Sequence, residues 1–264
     1  MKKLLICCLA LVLCPSQSHA VLTFGVPETF DSAVTTGSTQ APDVWYTDRY
    51  APAAFTSPVS FDGDNRLLHS ISAADGVDNR PASFSSAFYN TQGRKYDLPA
   101  GTGGLSIDLY IPSDWATTGR RMAGLWGTGV DGSNTIADYP IIEFASDGSG
   151  PRFQVWDSGS GWSEIGLPSG FVYDAWYTLD ASLAGSTINY SVGDITGSVP
   201  SLGSVEIDNV ILQGHNTTDG VDYDIHWDNL TITAVPEPSA FLFGGLVCSV
   251  LGANYYRKNK QAKA

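Results

Sequence analysis

The sequence predicts an all-β protein: an antiparallel two-sheet jelly-roll sandwich, flanked by an N-terminal signal helix and a C-terminal hydrophobic helix. Three observations predict it. Apolar and polar residues alternate at period two through the middle of the chain, and no long helical periodicity competes. Asp far outnumbers Glu, and Asp, Gly, Ser and Thr collect between the alternating stretches, where short polar side chains serve turns. All four cysteines, Cys7, Cys8, Cys14 and Cys248, lie in the terminal segments. The domain between them therefore has no disulfide and must rest on an apolar core or on bound metal.

The alternation can be followed in order. Leu105, Ile107, Leu109 and Ile111 alternate with Ser106, Asp108 and Tyr110. Phe153 and Val155 alternate with Arg152, Gln154 and Trp156. Ile188, Tyr190 and Val192 alternate with Thr187, Asn189 and Ser191, and Ile225 and Trp227 with Asp224, His226 and Asp228. Turn residues follow each stretch, which predicts strands with one buried face and one wet face. The Gly-rich pieces Gly101–Gly104 and Gly124–Gly129 read as turns; they lack the Lys of a phosphate loop. Residues 24–100 are less regular. Asp62–Arg66 and Asp75–Arg80 are two similar pieces that read as turns, with paired ligand loops as the alternative.

The two ends read as addresses. Lys2 and Lys3 precede an apolar stretch, Leu4–Leu13, and Ser18-His19-Ala20 is a small-x-small site, so cleavage by signal peptidase is expected after Ala20. A lipoprotein reading through Cys14 is disfavoured by the bulky Leu13 before it. At the other end Val235, Pro236, Glu237 and Pro238 precede an apolar run from Ala240 to Ala253, followed by Arg257, Lys258, Lys260 and Lys263. The prolines keep the segment extended. A bilayer core about 30 Å thick needs roughly 20 helical residues, so residues 240–256 make a marginal transmembrane segment with a cytoplasmic basic end. This order resembles the PEP-CTERM sorting signal. The resemblance implies an exported protein, transiently membrane-anchored by its tail and then processed by an exosortase, in the cell envelope or outside the cell. Residues 21–234 are then the mature domain.

That domain carries eight Lys or Arg against 26 Asp or Glu, a formal charge of −18. Such a balance argues against nucleic acid and anionic lipid as partners, which require basic patches. It permits divalent cations.

Within residues 100–234, SIDLYIP to Pro112, IIEFASD from Ile141, PRFQVWD from Pro151, AWYTLDASLAGSTINYSVG from Ala175 and IHWDNLTIT from Ile225 resemble the concanavalin A-like lectin/glucanase (laminin-G-like) jelly rolls. The resemblance implies carbohydrate contact on a concave sheet face or edge loops. Laminarinase-type members carry E-x-D-x-E or E-x-D-x-x-E on one strand, which this chain lacks. Glu143 is followed by Phe, Ala and Ser before Asp147, a spacing read as wrong by parity, and Glu164 and Glu206 stand alone. Lyases on similar folds combine Tyr, His and Arg; no motif ties His69, His215 and His226 to such partners. No G-x-S-x-G occurs in the mature chain.

Two candidate sites remain. Trp156 and Trp162 are the best exposed aromatics for sugar stacking, while Trp227 shares parity with the core residue Ile225. Asp222, Asp224 and Asp228, alternating beside His226, could supply hard oxygen ligands to a structural Ca²⁺. The sequence thus predicts a non-enzymatic, polysaccharide-associated surface or matrix protein. A carbohydrate-active enzyme (glycoside hydrolase or polysaccharide lyase) and a structural matrix protein without a specific ligand are the alternatives.

Overall fold

The computed structural model describes residues 21–76, 82, 91–215 and 220–235. Ala20, Pro236, Glu237, Pro238 and both terminal helices expected from the sequence lie outside them, as does most of the Asp75–Arg80 piece. Among the described residues no helix is long and apolar enough to cross a membrane.

Among the described residues the chain builds two sheets from sixteen strands. These are β1 (Thr36–Gly37), β2 (Trp45–Thr47), β3 (Ala54–Phe61), β4 (Asp64–Ile71), β5 (Gln92–Asp97), β6 (Thr102–Ile111), β7 (Arg121–Val130) and β8 (Ile136–Asp138). There follow β9 (Ile141–Asp147), β10 (Gly150–Asp157), β11 (Gly161–Gly166), β12 (Ala175–Ala184), β13 (Thr187–Val192), β14 (Ile195–Pro200), β15 (Glu206–Gly214) and β16 (Tyr223–Ala234). The first sheet runs β1-β2-β5-β15-β7-β9-β10-β11, with β8 on β7; the second runs β14-β13-β12-β6-β16-β4-β3. Apart from the parallel β1–β2 pair, neighbouring strands are antiparallel. Every predicted alternation lies on a strand: β6, β10, β13 and β16 carry the four stretches. Residues 24–100 supply β1 to β5, so they complete both sheets.

The core lies between the sheets. Leu105, Ile107, Leu109 and Ile111 of β6 join Leu125, Ile142, Phe144 and Leu212 of the first sheet in one cluster. Aromatic rings fill part of it: Phe144 meets Phe153 at 5.3 Å, and Phe171 stacks on Tyr177 at 5.2 Å. Trp227 is fully buried, as its parity requires, and donates Nε1–H to His69 Nδ1 at 3.4 Å. His69 Nε2 completes the ring's bonding on the Gln92 carbonyl at 3.0 Å. Burial lowers its pKa to about 3, so it stays neutral.

Two sequence readings are corrected. Gly124–Gly129 is no turn but the centre of strand β7. Of Gly101–Gly104, only Gly101 stays in a turn, because β6 begins at Thr102. A Cβ at Gly124 would collide with the Trp126 indole, and one at Gly129 with Ser204. These glycines admit a neighbour's side chain; they do not bend the chain. Beyond these glycines, β7 and β9 have no wet face. Met122, Trp126, Ile141, Ala145 and Ile211 form a second apolar cluster on the side of the first sheet away from the sandwich core. Continuous burial along both strands, the mark of a strand covered on both sides, replaces the alternation.

Replacing Trp227 by Ala should cost about 3–5 kcal/mol, because a large cavity opens beside His69. Trp162→Ala, at an exposed position, should change stability by about 0.5 kcal/mol or less. Urea unfolding of both variants checks the contrast.

Candidate active site

The site grows from strand β9. Residues 141, 143, 145 and 147 point to the second cluster, since alternate residues of a strand share a face. Glu143 sits at its centre with no exposed surface. Register brings Gly124 of β7 to one side and Gln154 of β10 to the other. Because Gly124 has no side chain, the Trp126 indole reaches across and donates Nε1–H to Glu143 Oε2 at 3.3 Å. Gln154 donates Nε2–H to Glu143 Oε1 at 2.5 Å.

Asp147 shares this face. The parity reading is corrected: positions four apart have the same parity, and one guanidinium reaches both carboxylates. Arg120 stands 3.9 Å from Glu143 Oε1 through Nη2 and 3.6 Å from Asp147 Oδ2 through Nη1. Arg152 grips Asp147 with two bonds, Nη1 to Oδ1 at 3.0 Å and Nη2 to Oδ2 at 2.9 Å. Its Nε lies 3.2 Å from Glu164 Oε1, so Glu164 does not stand alone. The network therefore spans β9, β10 and β11 and the residue that precedes β7.

The two carboxyl groups are pushed apart in acidity. Burial raises the Glu143 pKa to about 7, and the nearby Arg120 and the Gln154 and Trp126 bonds only partly oppose it. The Arg152 hydrogen bonds lower the Asp147 pKa to about 2. Near neutral pH the face holds one carboxyl that can give a proton and one that stays ionised.

Trp156 and Trp162 extend this face toward the sheet edge. They pair directly in the β10–β11 register, with ring centroids 5.2 Å apart and planes at 71°. Trp156 packs against the second cluster and is half-buried, while Trp162 is 40% exposed. The sequence expectation named these aromatics and missed the carboxylates beside them. The signal was present: Glu143 in an apolar run, with Asp147 four residues on.

The other candidates separate. Asp224, His226 and Asp228 do follow one another along β16, but each carboxylate of the series is engaged by a proton donor. Asp222 Oδ1 accepts from the Ala73 amide at 2.6 Å, Asp224 from Ser70 Oγ at 2.5 Å, and Asp228 pairs with Arg66 at 2.6 Å. Among the described residues no group of three or more metal-ligating side chains converges. Of the histidines, His69 lies inside the core, and His226 stacks on Phe61 at 3.6 Å on the opposite sheet.

No protein-family model matches the chain, and no curated protein sequence does. Solved structures resemble it in fold. An endo-β-galactosidase from Clostridium perfringens that releases GlcNAcα1-4Gal aligns over 82% of this chain and 63% of its own, at 12% identity and a TM-score of 0.50. The Bacillus licheniformis β-glucanase aligns over 72% of this chain and 91% of its own, at 14% identity and 0.44. The alginate lyase vAL-1 from a Chlorella virus aligns over 72% and 93%, at 11% identity and 0.43. The chain spans only 17% of the length of a sialidase that it also resembles. The likeness shows the fold alone: an antiparallel two-sheet sandwich of the kind the endo-β-galactosidase also has. The expectation of a non-enzyme is corrected to this extent: the named structures of like fold are enzymes, and at 11–14% identity their likeness bears on the fold alone. Its basis, the missing E-x-D-x-E spacing, does not exclude the Glu143–Asp147 pair.

Because Glu143 ionises more readily unfolded than folded, its burial should weaken the fold as pH rises from 4.5 to about 7, by up to about 3 kcal/mol, and not below or above that window. Asp147 has the opposite sign: its contribution is present above pH 4 and fades toward pH 2. Glu143→Gln should abolish the first dependence and spare the second. Urea unfolding at pH 2, 3, 4.5, 6 and 7.5 measures both.

Proposed function

We propose that the domain is a carbohydrate-active enzyme that cleaves glycosidic bonds by acid–base catalysis at the Glu143–Asp147 face. One observation carries the reading: two carboxyl groups on one strand face within reach of one guanidinium, one buried with its pKa raised to about 7, the other held ionised by Arg152. Pairs whose environments push their pKa values apart divide the roles of acid and base.

In this reaction the apolar cover that leaves Glu143 no exposed surface at rest must part before Glu143 gives its proton to the glycosidic oxygen as the C–O bond breaks. Asp147 takes a proton from the water that attacks the anomeric carbon. Cα atoms four residues apart on a strand are about 13 Å from each other. Two carboxylates on such a strand, reached by one guanidinium, fit the about 6.5–9.5 Å spacing of an inverting pair better than the about 5–5.5 Å of a retaining one. Trp162, exposed at the edge of this face, offers a surface for a sugar ring. The signal and sorting segments read at the chain ends support the inference that the enzyme works outside the cytoplasm on extracellular polysaccharide, after processing by signal peptidase and exosortase.

Glu143→Gln should lower kcat on a cleavable polysaccharide by about 10²-fold or more, and Trp162→Ala should chiefly raise KM. The rate should fall above about pH 7, as Glu143 loses its proton. NMR of the first product should show inverted anomeric configuration. Reducing-sugar assays on neutral and uronate polymers make the test; equal turnover by wild type and Glu143→Gln, or none by either, would reject the assignment.

A further inference from the structure

The second sheet carries a groove that the proposed chemistry does not use. Two hollows open on its outer face. One, of about 590 Å³, is lined by Trp176, Tyr177, Thr178, Asp180 and Asp194 among others. The next, of about 490 Å³, is lined by Asp180, Ser182, Asn189, Thr196 and Ser198 among others. Asp180 borders both, so the hollows adjoin and run across β12, β13 and β14.

The groove is polar along its length and aromatic at one end. Asp180, Ser191 and Thr196 line up across three strands by register, as do Ser182, Asn189 and Ser198. Asp180 accepts a bond from Ser191 to Oδ2 at 3.1 Å, and Ser198 donates to Asn189 at 3.0 Å. Asp194 Oδ1 accepts the Ser169 amide at 2.9 Å. Each carboxylate has acceptor capacity left for a further donor.

The aromatic end is held rigid. Trp176 donates Nε1–H to Asp62 at 2.9 Å, and the Arg66 guanidinium lies 4.9 Å over its ring. Tyr110 packs beside it at 5.4 Å, with Phe61 in turn against Tyr110 at 4.9 Å. Neither hollow is lined by Lys or Arg among the described residues. Arg66 itself is engaged by Asp64 at 2.9 Å and Asp228 at 2.6 Å.

We propose that this groove is a second, non-catalytic glycan-binding site, which takes a neutral polysaccharide chain with one sugar ring on Trp176 and its hydroxyls on Asp180 and Asp194. The charge selects the ligand class. Carboxylates accept O–H donors at little cost but repel uronates and sulfates, and Arg66, over the Trp176 ring, is already paired with Asp64 and Asp228. A fixed indole supplies apolar contact without an ordering penalty. The site lies on the sheet opposite Glu143, so it can hold a polymer while the other face works on it, and it needs no catalysis to act.

Affinity electrophoresis of the full chain tests this in a Glu143→Gln, Trp162→Ala background, which silences the other face. The probes are a neutral mixed-linkage β-glucan and alginate. The glucan should retard the protein and alginate should not. Adding Trp176→Ala or Asp180→Ala should weaken the glucan Kd about tenfold, with the thermal midpoint checked for each. Absence of retardation by the glucan, retardation by alginate alone, or a Kd unchanged in both folded variants would overturn the proposal. Turnover at the Glu143 face does not enter the readout.

Discussion

A single buried carboxyl group organises the first sheet. Glu143 lies in the middle of β9, on a face covered by its own apolar cluster, and an ionised carboxylate there would be costly. The protein meets that cost in two ways. Burial raises its pKa to about 7, so it keeps its proton through the mildly acidic range, and three polar side chains, from Trp126, Gln154 and Arg120, turn to its two oxygens. The rest of the neighbourhood follows from those partners. Trp126 can arrive only because residue 124 is glycine, and Gln154 arrives through the β9–β10 register. Arg152 then ties the far side of Gln154 to Asp147 and Glu164.

The same arrangement explains why this sheet differs from its partner. The second sheet presents polar residues outward along β12, β13 and β14, and its outer face holds hydroxyls, carboxylates and a few fixed aromatics. The first sheet is dry on both faces near β7 and β9. A dry wall is where a carboxyl pKa can be moved by burial; a wet wall is where a polymer can be held through many weak contacts. The two faces suit the two proposed tasks.

Much of the fold was legible in the sequence because β6, β10, β13 and β16 each have one wet face, and period two shows wherever a face is wet. The same rule explains the failure at β7. RMAGLWGTGV is covered on both sides, so alternation vanishes and its glycines imitate a turn. The site was half legible. Trp156 and Trp162 were recognisable as candidates from parity and a Gly/Ser context. Glu143 and Asp147 were visible as residues but were set aside by a misjudged spacing, and Arg120, Gln154 and Trp126 could not be joined to them without the register. The Asp222–Asp224–Asp228 series shows the converse limit. Alternation placed these acids together along the chain, yet Ser70, Ala73 and Arg66, remote in sequence, engage them one by one.

The central claim is that Glu143 holds its proton at a pH where ordinary glutamates have lost theirs. Titration of its side-chain carboxyl carbon by ¹³C NMR in the folded protein tests that most directly, with Glu143→Gln to assign the resonance. The account predicts a midpoint near pH 7. A midpoint near 4.5, that of a solvated glutamate, would contradict it.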